Sequence, residues 1–84
     1  MSVKDYNRLE QEVHMLVVGG LEKSFSSREI EIAAGVIKKS AKTHHCFKYL
    51  QQRVANYFVL FGAVPLALMS EFGVNAHNLS RYIK

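Results

Sequence analysis

The sequence predicts an all-α fold, a compact domain of five helices. Apolar residues recur at helical spacing in several segments, the alternation typical of strands does not persist, and the chain contains one proline. A length of 84 residues allows one small hydrophobic core. We therefore expect residues 1–84 to form a single helical domain.

The first two helices are indicated by an apolar stripe and by a start signal. The stripe has spacing i, i+3, i+7, i+10, i+11 and consists of Tyr6, Leu9, Val13, Leu16 and Val17. We expect Gly19-Gly20 to end this first helix. The segment "FSSREI" then predicts a second helix, with Ser26 as N-cap and Glu29 completing a capping box. Phe25 and Ile30 are spaced as a hydrophobic staple across this start.

Three further helices are expected in the rest of the chain. The third helix is expected to end at Gly62 and to lie at the centre of the core. Its apolar stripe is rich in aromatic residues: Phe47, Leu50, Val54, Tyr57, Phe58 and Phe61. Pro65 suits the first turn of a fourth helix, and Gly73 suits its left-handed C-cap. Asn75 would cap the fifth helix.

Residues 63–84 have the spacing of a helix-turn-helix. With Pro65 as position 1, Gly73 falls at position 9, where the turn favours a residue that tolerates positive φ. The positions that such a motif buries are all apolar or aromatic: Leu68, Phe72, Val74, Leu79 and Tyr82. A plain helical hairpin is the alternative. On the first interpretation, residues 1–62 form the supporting and possible dimerisation helices.

The charge is unevenly distributed along the chain. Residues 1–31 hold six acids and four bases, whereas residues 32–84 hold seven bases and one acid, Glu71. Positive fields of this kind favour nucleic acid, because neutralising phosphates releases counterions. A solvated basic surface that binds nothing, or that holds a nearby acidic helix, is the alternative.

The two interpretations together predict an interface with double-stranded DNA. A recognition helix places its first residues in the major groove, so we expect the base-reading side chains to be Asn75, Ala76, His77, Ser80 and Arg81. Arg81 is the first choice, since arginine can pair with guanine through two hydrogen bonds; a phosphate contact or a solvated role is the alternative. The expected phosphate-binding residues are Lys38, Lys39, Lys42, Lys48, Arg53 and Lys84.

The arrangement resembles small bacterial transcription regulators of the plasmid KorA/TrfB type and the fimbrial PapB type. The matching segments are "VGGLEKSFSSREIEIAAGVIKK" and "LALMSEFGVNAHNLSRYIK". The resemblance implies that helices precede a helix-turn-helix that reads operator DNA, and that the protein binds as a dimer or larger assembly. Helix 1 is the expected dimerisation element, with simple packing against helix 3 as the alternative.

Other classes of function have little support in the sequence. His44, His45 and Cys46 are adjacent and would diverge around a helix, whereas zinc needs three or four converging ligands, so we expect neither a metal nor a cofactor. We find no nucleophile motif, P-loop or paired carboxylates, and we expect no enzymatic activity. The longest uncharged stretch, 54–70, contains Asn56, Gly62 and Pro65 and is expected to be core rather than membrane.

The predicted function is therefore a sequence-specific DNA-binding transcriptional regulator. We expect a repressor of a plasmid, phage or accessory operon that acts as a homodimer. A lone cysteine and the lack of a secretory signal predict a cytoplasmic location. The alternative is a small phage- or plasmid-encoded inhibitor or anti-repressor whose basic surface binds a protein partner.

Overall fold

A computed structural model describes residues 2–83 as an all-helical domain. Its four α-helices are α1 (Val3–Leu21), α2 (Ser27–Thr43), α3 (Phe47–Phe61) and α4 (Leu66–Phe72). A single 3₁₀ turn follows at Leu79–Arg81, and the described residues contain no strand. The all-α prediction is confirmed, whereas the described chain has four α-helices and not the expected five.

Helix α1 corrects the expected role of the two adjacent glycines. The helix continues through Gly19 and Gly20 and ends at Leu21. Gly19 is buried, and a Cβ atom there would overlap the ring of Phe25. A Cβ on Gly20 would overlap the ring of Pro65. The glycines therefore allow other segments to approach α1 closely, a tertiary requirement that local helix-end rules do not consider.

Helix α2 begins as the sequence predicted. The Glu29 amide donates to the Ser26 hydroxyl at 3.1 Å, and the Ser26 amide donates to the Glu29 carboxylate at 2.9 Å. These two bonds form a complete capping box. Its residues Ile30, Ala34 and Ile37 are buried, so this helix contributes its apolar side to the core.

Helices α3 and α4 both end at glycines in the left-handed region. Gly62, where α3 was predicted to end, has φ 76°, and Gly73 has φ 66°, which confirms its predicted left-handed C-cap. Pro65 is the N-cap of α4 and lies just before the first helical residue. In addition, the Gln51 side chain donates to the Phe72 carbonyl at 2.9 Å and so ties the end of α4 to α3.

The segment after Gly73 differs from the predicted fifth helix. Asn75 forms the expected cap bonds, since its side-chain oxygen accepts from the amides of His77 and Asn78 at 2.9 and 3.0 Å. The later backbone bonds, however, are of the tighter three-residue type, including Arg81 to Asn78 and Tyr82 to Leu79. So short a segment cannot sustain an α-helix by itself, although Asn75 and Asn78 exchange reciprocal cap bonds at its start.

The core lies between α2 and the three other helices. Helix α4 packs mainly on α2, while α1 packs on α2 and α3. The largest fully buried side chain is Phe72 of α4, whereas Phe61 of α3 is exposed, so the aromatic centre differs from the predicted one. The radius of gyration is 11.7 Å, close to the roughly 12 Å of a compact domain of this length.

Candidate nucleic-acid interface

Three of the predicted phosphate-binding lysines lie together beside α4. Lys38, Lys39 and Lys42 of α2 line a cavity of about 340 Å³ with Gly35 and with Glu71 of α4. We call this cavity the lysine pocket. The buried stripe of α2 passes through Ala34, Ile37 and Ala41, so the lysines project along its α4 side. The pocket therefore presents three cationic side chains and one carboxylate.

Aromatic contacts hold the α3 side of this region in place. The Lys42 ammonium lies 5.2 Å from the centre of the Phe47 ring, within the range of a cation–π interaction. Phe47 in turn stacks on Phe72, with ring centres 5.5 Å apart. Because Phe72 is fully buried, these contacts connect Lys42 to the core and restrict its position.

The lysine pocket has no tight internal ion pair. Among residues 2–83, none of the salt bridges involves Lys38, Lys39, Lys42 or Glu71. The three ammonium groups thus retain charge for a bound anion, although Glu71 reduces the local positive field. Lys48 is also exposed, at the start of α3, but it does not line the pocket.

Arg53 lies in a different environment from these lysines. Its Nε–H donates to Glu10 Oε1 at 3.0 Å, and its guanidinium lies 5.8 Å from the centre of the Tyr57 ring. The Tyr57 hydroxyl donates to the same Glu10 oxygen at 2.7 Å. The hydroxyl hydrogen is used in that bond, so the 3.1 Å contact with His14 Nδ1 requires an N–H donated by the histidine.

The cluster of Glu10, Arg53 and Tyr57 changes the pKa values of its members. Burial raises the pKa of the Glu10 carboxyl, but the hydrogen bonds from Tyr57 and Arg53 outweigh burial and lower it overall. Burial, together with the hydrogen bond to Glu10, raises the pKa of Tyr57 to about 12. The hydrogen bond to Glu10 raises the pKa of Arg53. Arg53 is therefore paired with a carboxylate, whereas the lysines of the pocket have no salt bridge among residues 2–83.

The five predicted base-reading residues are all exposed on the segment after α4. They are Asn75, Ala76, His77, Ser80 and Arg81. Of the five, only Asn75 uses its side chain in hydrogen bonds within residues 2–83, so the others are free to contact a partner. Lys84, the sixth predicted phosphate contact, lies outside the described residues.

The histidine and cysteine side chains near the end of α2 are engaged separately. His44 Nδ1 lies 3.5 Å from Asp5 Oδ2, whereas Cys46 is fully buried, and burial raises the pKa of its thiol. Within residues 2–83 no three His, Cys, Asp or Glu residues group in a way that could hold a metal. The same residues include no helix that is long and apolar enough to cross a bilayer.

Sequence reasoning missed two features of the surface. It did not place Glu71 among the lysines or pair Glu10 with Arg53, because both relationships join distant parts of the chain. It also missed three of the exposed apolar residues of the first two helices, Met15, Ile32 and Val36. A helical projection could have found these three, since they lie off the buried stripes.

Comparison of the sequence with known protein families and with curated proteins, and of the fold with solved structures, found no match.

Proposed function

We propose that this protein binds double-stranded DNA and regulates transcription by occupying operator sites. The observation that carries the proposal is the lysine pocket, where Lys38, Lys39 and Lys42 converge without a paired carboxylate in the described chain. Three neighbouring lysines of this kind are typical of surfaces that bind phosphates, because those contacts depend on charge. We further propose that the protein is a repressor located in the cytoplasm and encoded by a plasmid, a phage or an accessory operon.

We place the reading of bases in the segment that follows Gly73. Its exposed Arg81 can form two hydrogen bonds to guanine, and its His77 and Ser80 are also exposed. In the proposed complex, α4 is the first helix of a helix-turn-helix and the segment extends into an α-helix in the major groove. The cap bonds of Asn75 support this step, because the first turn of such a helix already has its cap.

We include a homodimer in the proposal, because one small module contacts few base pairs. The apolar stripe of α1, the expected dimerisation surface, is buried inside the chain at Leu9, Val13 and Val17. An exposed, uncharged patch at the end of α3 and the start of α4 is better suited to a second copy: Val59, Leu60, Phe61 and Leu66. In a two-fold pair such a patch meets itself without opposing like charges.

The first test is a fluorescence-anisotropy titration with two DNA duplexes, one from upstream of the gene and one of random sequence. We expect at least a thousandfold preference for the upstream duplex and a steep loss of affinity between about 50 and 200 mM salt. Equal binding to both duplexes would remove sequence-specific regulation, and absence of binding would reject the DNA proposal altogether.

Two variants separate phosphate contacts from base reading. Replacing Lys38, Lys39 and Lys42 together by alanine should weaken binding to both duplexes and reduce the salt slope by roughly 0.9 for each lost phosphate contact. The matched control replaces Lys4, Lys23 and Arg28 by alanine, which removes the same number of exposed basic side chains from the acidic part of the chain. Arg81→Ala should instead remove most of the preference for the upstream duplex.

A second candidate is a protein-binding inhibitor or anti-repressor. The observation that favours it is the 3₁₀ turn at Leu79–Arg81, since a basic surface beside a segment without an α-helix can equally bind an acidic protein. This candidate predicts no preference between duplexes. It also predicts that Arg81→Ala leaves affinity for an acidic partner largely unchanged, whereas the triple lysine variant loses it.

A further inference from the structure

An open apolar groove runs between α1 and α2. Its first part is a cavity of about 330 Å³ lined mainly by apolar side chains: Met15, Leu16, Phe25, Ala33, Val36 and Ile37. A second cavity of about 320 Å³ shares Met15 and Phe25 with the first and continues past Val18 and Gly19. Met15 is 61% exposed and Val36 is 65% exposed, so much of this apolar surface meets solvent. Contiguous exposed surface of this kind is typical of a binding site.

The charged residues that line this groove are acids. Glu12 borders the first cavity and Glu22 borders the second, and no lysine or arginine of residues 2–83 lines either one. Arg8 pairs with Glu12 at 3.3 Å, but this pair is exposed and lies within one helix, so a competing cation displaces it readily. His14 is the remaining titratable residue of the lining.

We propose that the groove binds an amphipathic helix of a partner protein, with apolar residues along one side and basic residues near both ends. Glu12 lies on α1 and Glu22 is its C-cap, ten residues further along the chain, which is about 15 Å along a helix. A helix lying along α1 would place Lys or Arg side chains against both carboxylates. Between them, apolar side chains spaced i, i+3, i+4 and i+7 would enter the two cavities.

The charge of the lining favours this occupant over two others. A second copy bound through the same groove by two-fold symmetry would place Glu12 and Glu22 of one chain against those of its partner. Nucleic acid would place phosphates against the same carboxylates. The lysine pocket lies on the opposite side of the buried stripe of α2, so a helix in the groove leaves it open. The inference therefore does not depend on DNA binding.

The flexibility of the lining also suits a helix. Methionine has an unbranched side chain that adapts to irregular partners, and Met15 is shared by both cavities. Phe25 is partly buried and packs against the core, so it gives the groove a fixed floor beside the adaptable methionine. The two residues together would set the position of the central apolar side chain of the partner.

The test uses a labelled helical peptide of roughly 18 residues, long enough to form a helix. It carries leucines on one side, glutamines on the other and lysines near both ends; a second peptide has glutamates in place of the lysines. Anisotropy titration of the full chain should give at least tenfold tighter binding of the lysine peptide. Amide chemical shifts should change along α1 and α2.

Variants in the groove locate the site. Two variants should each weaken binding of the lysine peptide about tenfold, which is about 1.4 kcal/mol. One is Val36→Glu, and the other is the double variant Glu12→Gln, Glu22→Gln. Leu60→Glu is the matched control, because it introduces the same charge at an exposed apolar residue of α3 and should leave affinity unchanged. All of these side chains are at the surface, and circular dichroism checks that each variant folds.

Three results would overturn the inference. They are equal binding of the two peptides, no binding of the lysine peptide, and shift changes confined to α3 and α4. Loss of peptide binding in the Leu60→Glu control would move the site to the patch at the end of α3.

Discussion

The Tyr57 hydroxyl donates a 2.7 Å hydrogen bond to Glu10 across 47 residues of sequence, and so joins α3 to α1. Both partners are partly or fully removed from water, and the acceptor is a carboxylate whose pKa lies below its ordinary value. Hydrogen bonds to charged acceptors are stronger than neutral ones. This bond is therefore a principal polar contact between the first and third helices.

Replacing Tyr57 by phenylalanine should destabilise the fold by about 1 to 2 kcal/mol. The ring remains, so apolar packing is preserved, but Glu10 keeps Arg53 as its donor and loses the hydroxyl. Urea unfolding followed by circular dichroism measures the change. Tyr49→Phe is the control, because the Tyr49 hydroxyl has no hydrogen-bond partner among residues 2–83; equal effects of the two variants would contradict the prediction.

Ionisation of Tyr57 should weaken the fold at high pH. Its pKa is raised to about 12 from an ordinary value of 10.0, so the protonated hydroxyl is the form that stabilises the folded state. This contribution is complete below about pH 10 and is lost as the pH rises through 12. Ultraviolet titration should show a late tyrosinate component in the folded protein. Tyr57→Phe should remove that component and flatten the alkaline loss of stability.

Alanine at Gly19 should destabilise the protein by about 1 to 3 kcal/mol, even though alanine is the better helix former. The reason is that its Cβ would overlap the partly buried Phe25 ring, which must then move. Gly35→Ala is the matched control inside α2. A Cβ there would meet only Glu71, at 3.9 Å, so the free energy of unfolding of this variant should rise by up to about 1 kcal/mol. Thermal unfolding of both variants gives the sign of each change.

Local sequence patterns predicted the features that depend on neighbouring residues. The capping box of Ser26 and Glu29, the end of α3 at Gly62 and the left-handed cap at Gly73 all form within a few residues, and all were predicted. The same rules failed at Gly19, where the constraint comes from Phe25 packing against it. A glycine required by a tertiary contact looks the same in sequence as one that ends a helix.

In the candidate site, too, local features could be predicted from the sequence and contacts between distant residues could not. The sequence could place Lys38, Lys39 and Lys42 on one side of a helix, because their spacing is local. It could not separate Arg53 from them, since the pairing of Arg53 with Glu10 joins residues 43 positions apart. The predicted fifth helix failed although Asn75 caps the segment as expected, because so short a segment cannot sustain an α-helix by itself.

The contribution of the asparagine bonds to this segment can be tested at Asn78. Its side chain accepts the Asn75 amide at 2.8 Å and donates to the Gly73 carbonyl at 2.9 Å, so it ties the segment to the end of α4. Asn78→Ala should cost about 0.5 to 1.5 kcal/mol and should speed hydrogen exchange of the Asn75 amide, measured by nuclear magnetic resonance.

Ser80→Ala is the control for this variant. The Ser80 side chain is exposed and makes no hydrogen bond within residues 2–83, so the exchange rate of the Asn75 amide should stay the same. Unchanged exchange in Asn78→Ala would mean that packing of the partly buried Leu79 and Tyr82, rather than the asparagine bonds, holds the segment in place. In that case Leu79→Ala, which removes part of that packing, should speed the exchange of the Asn75 amide.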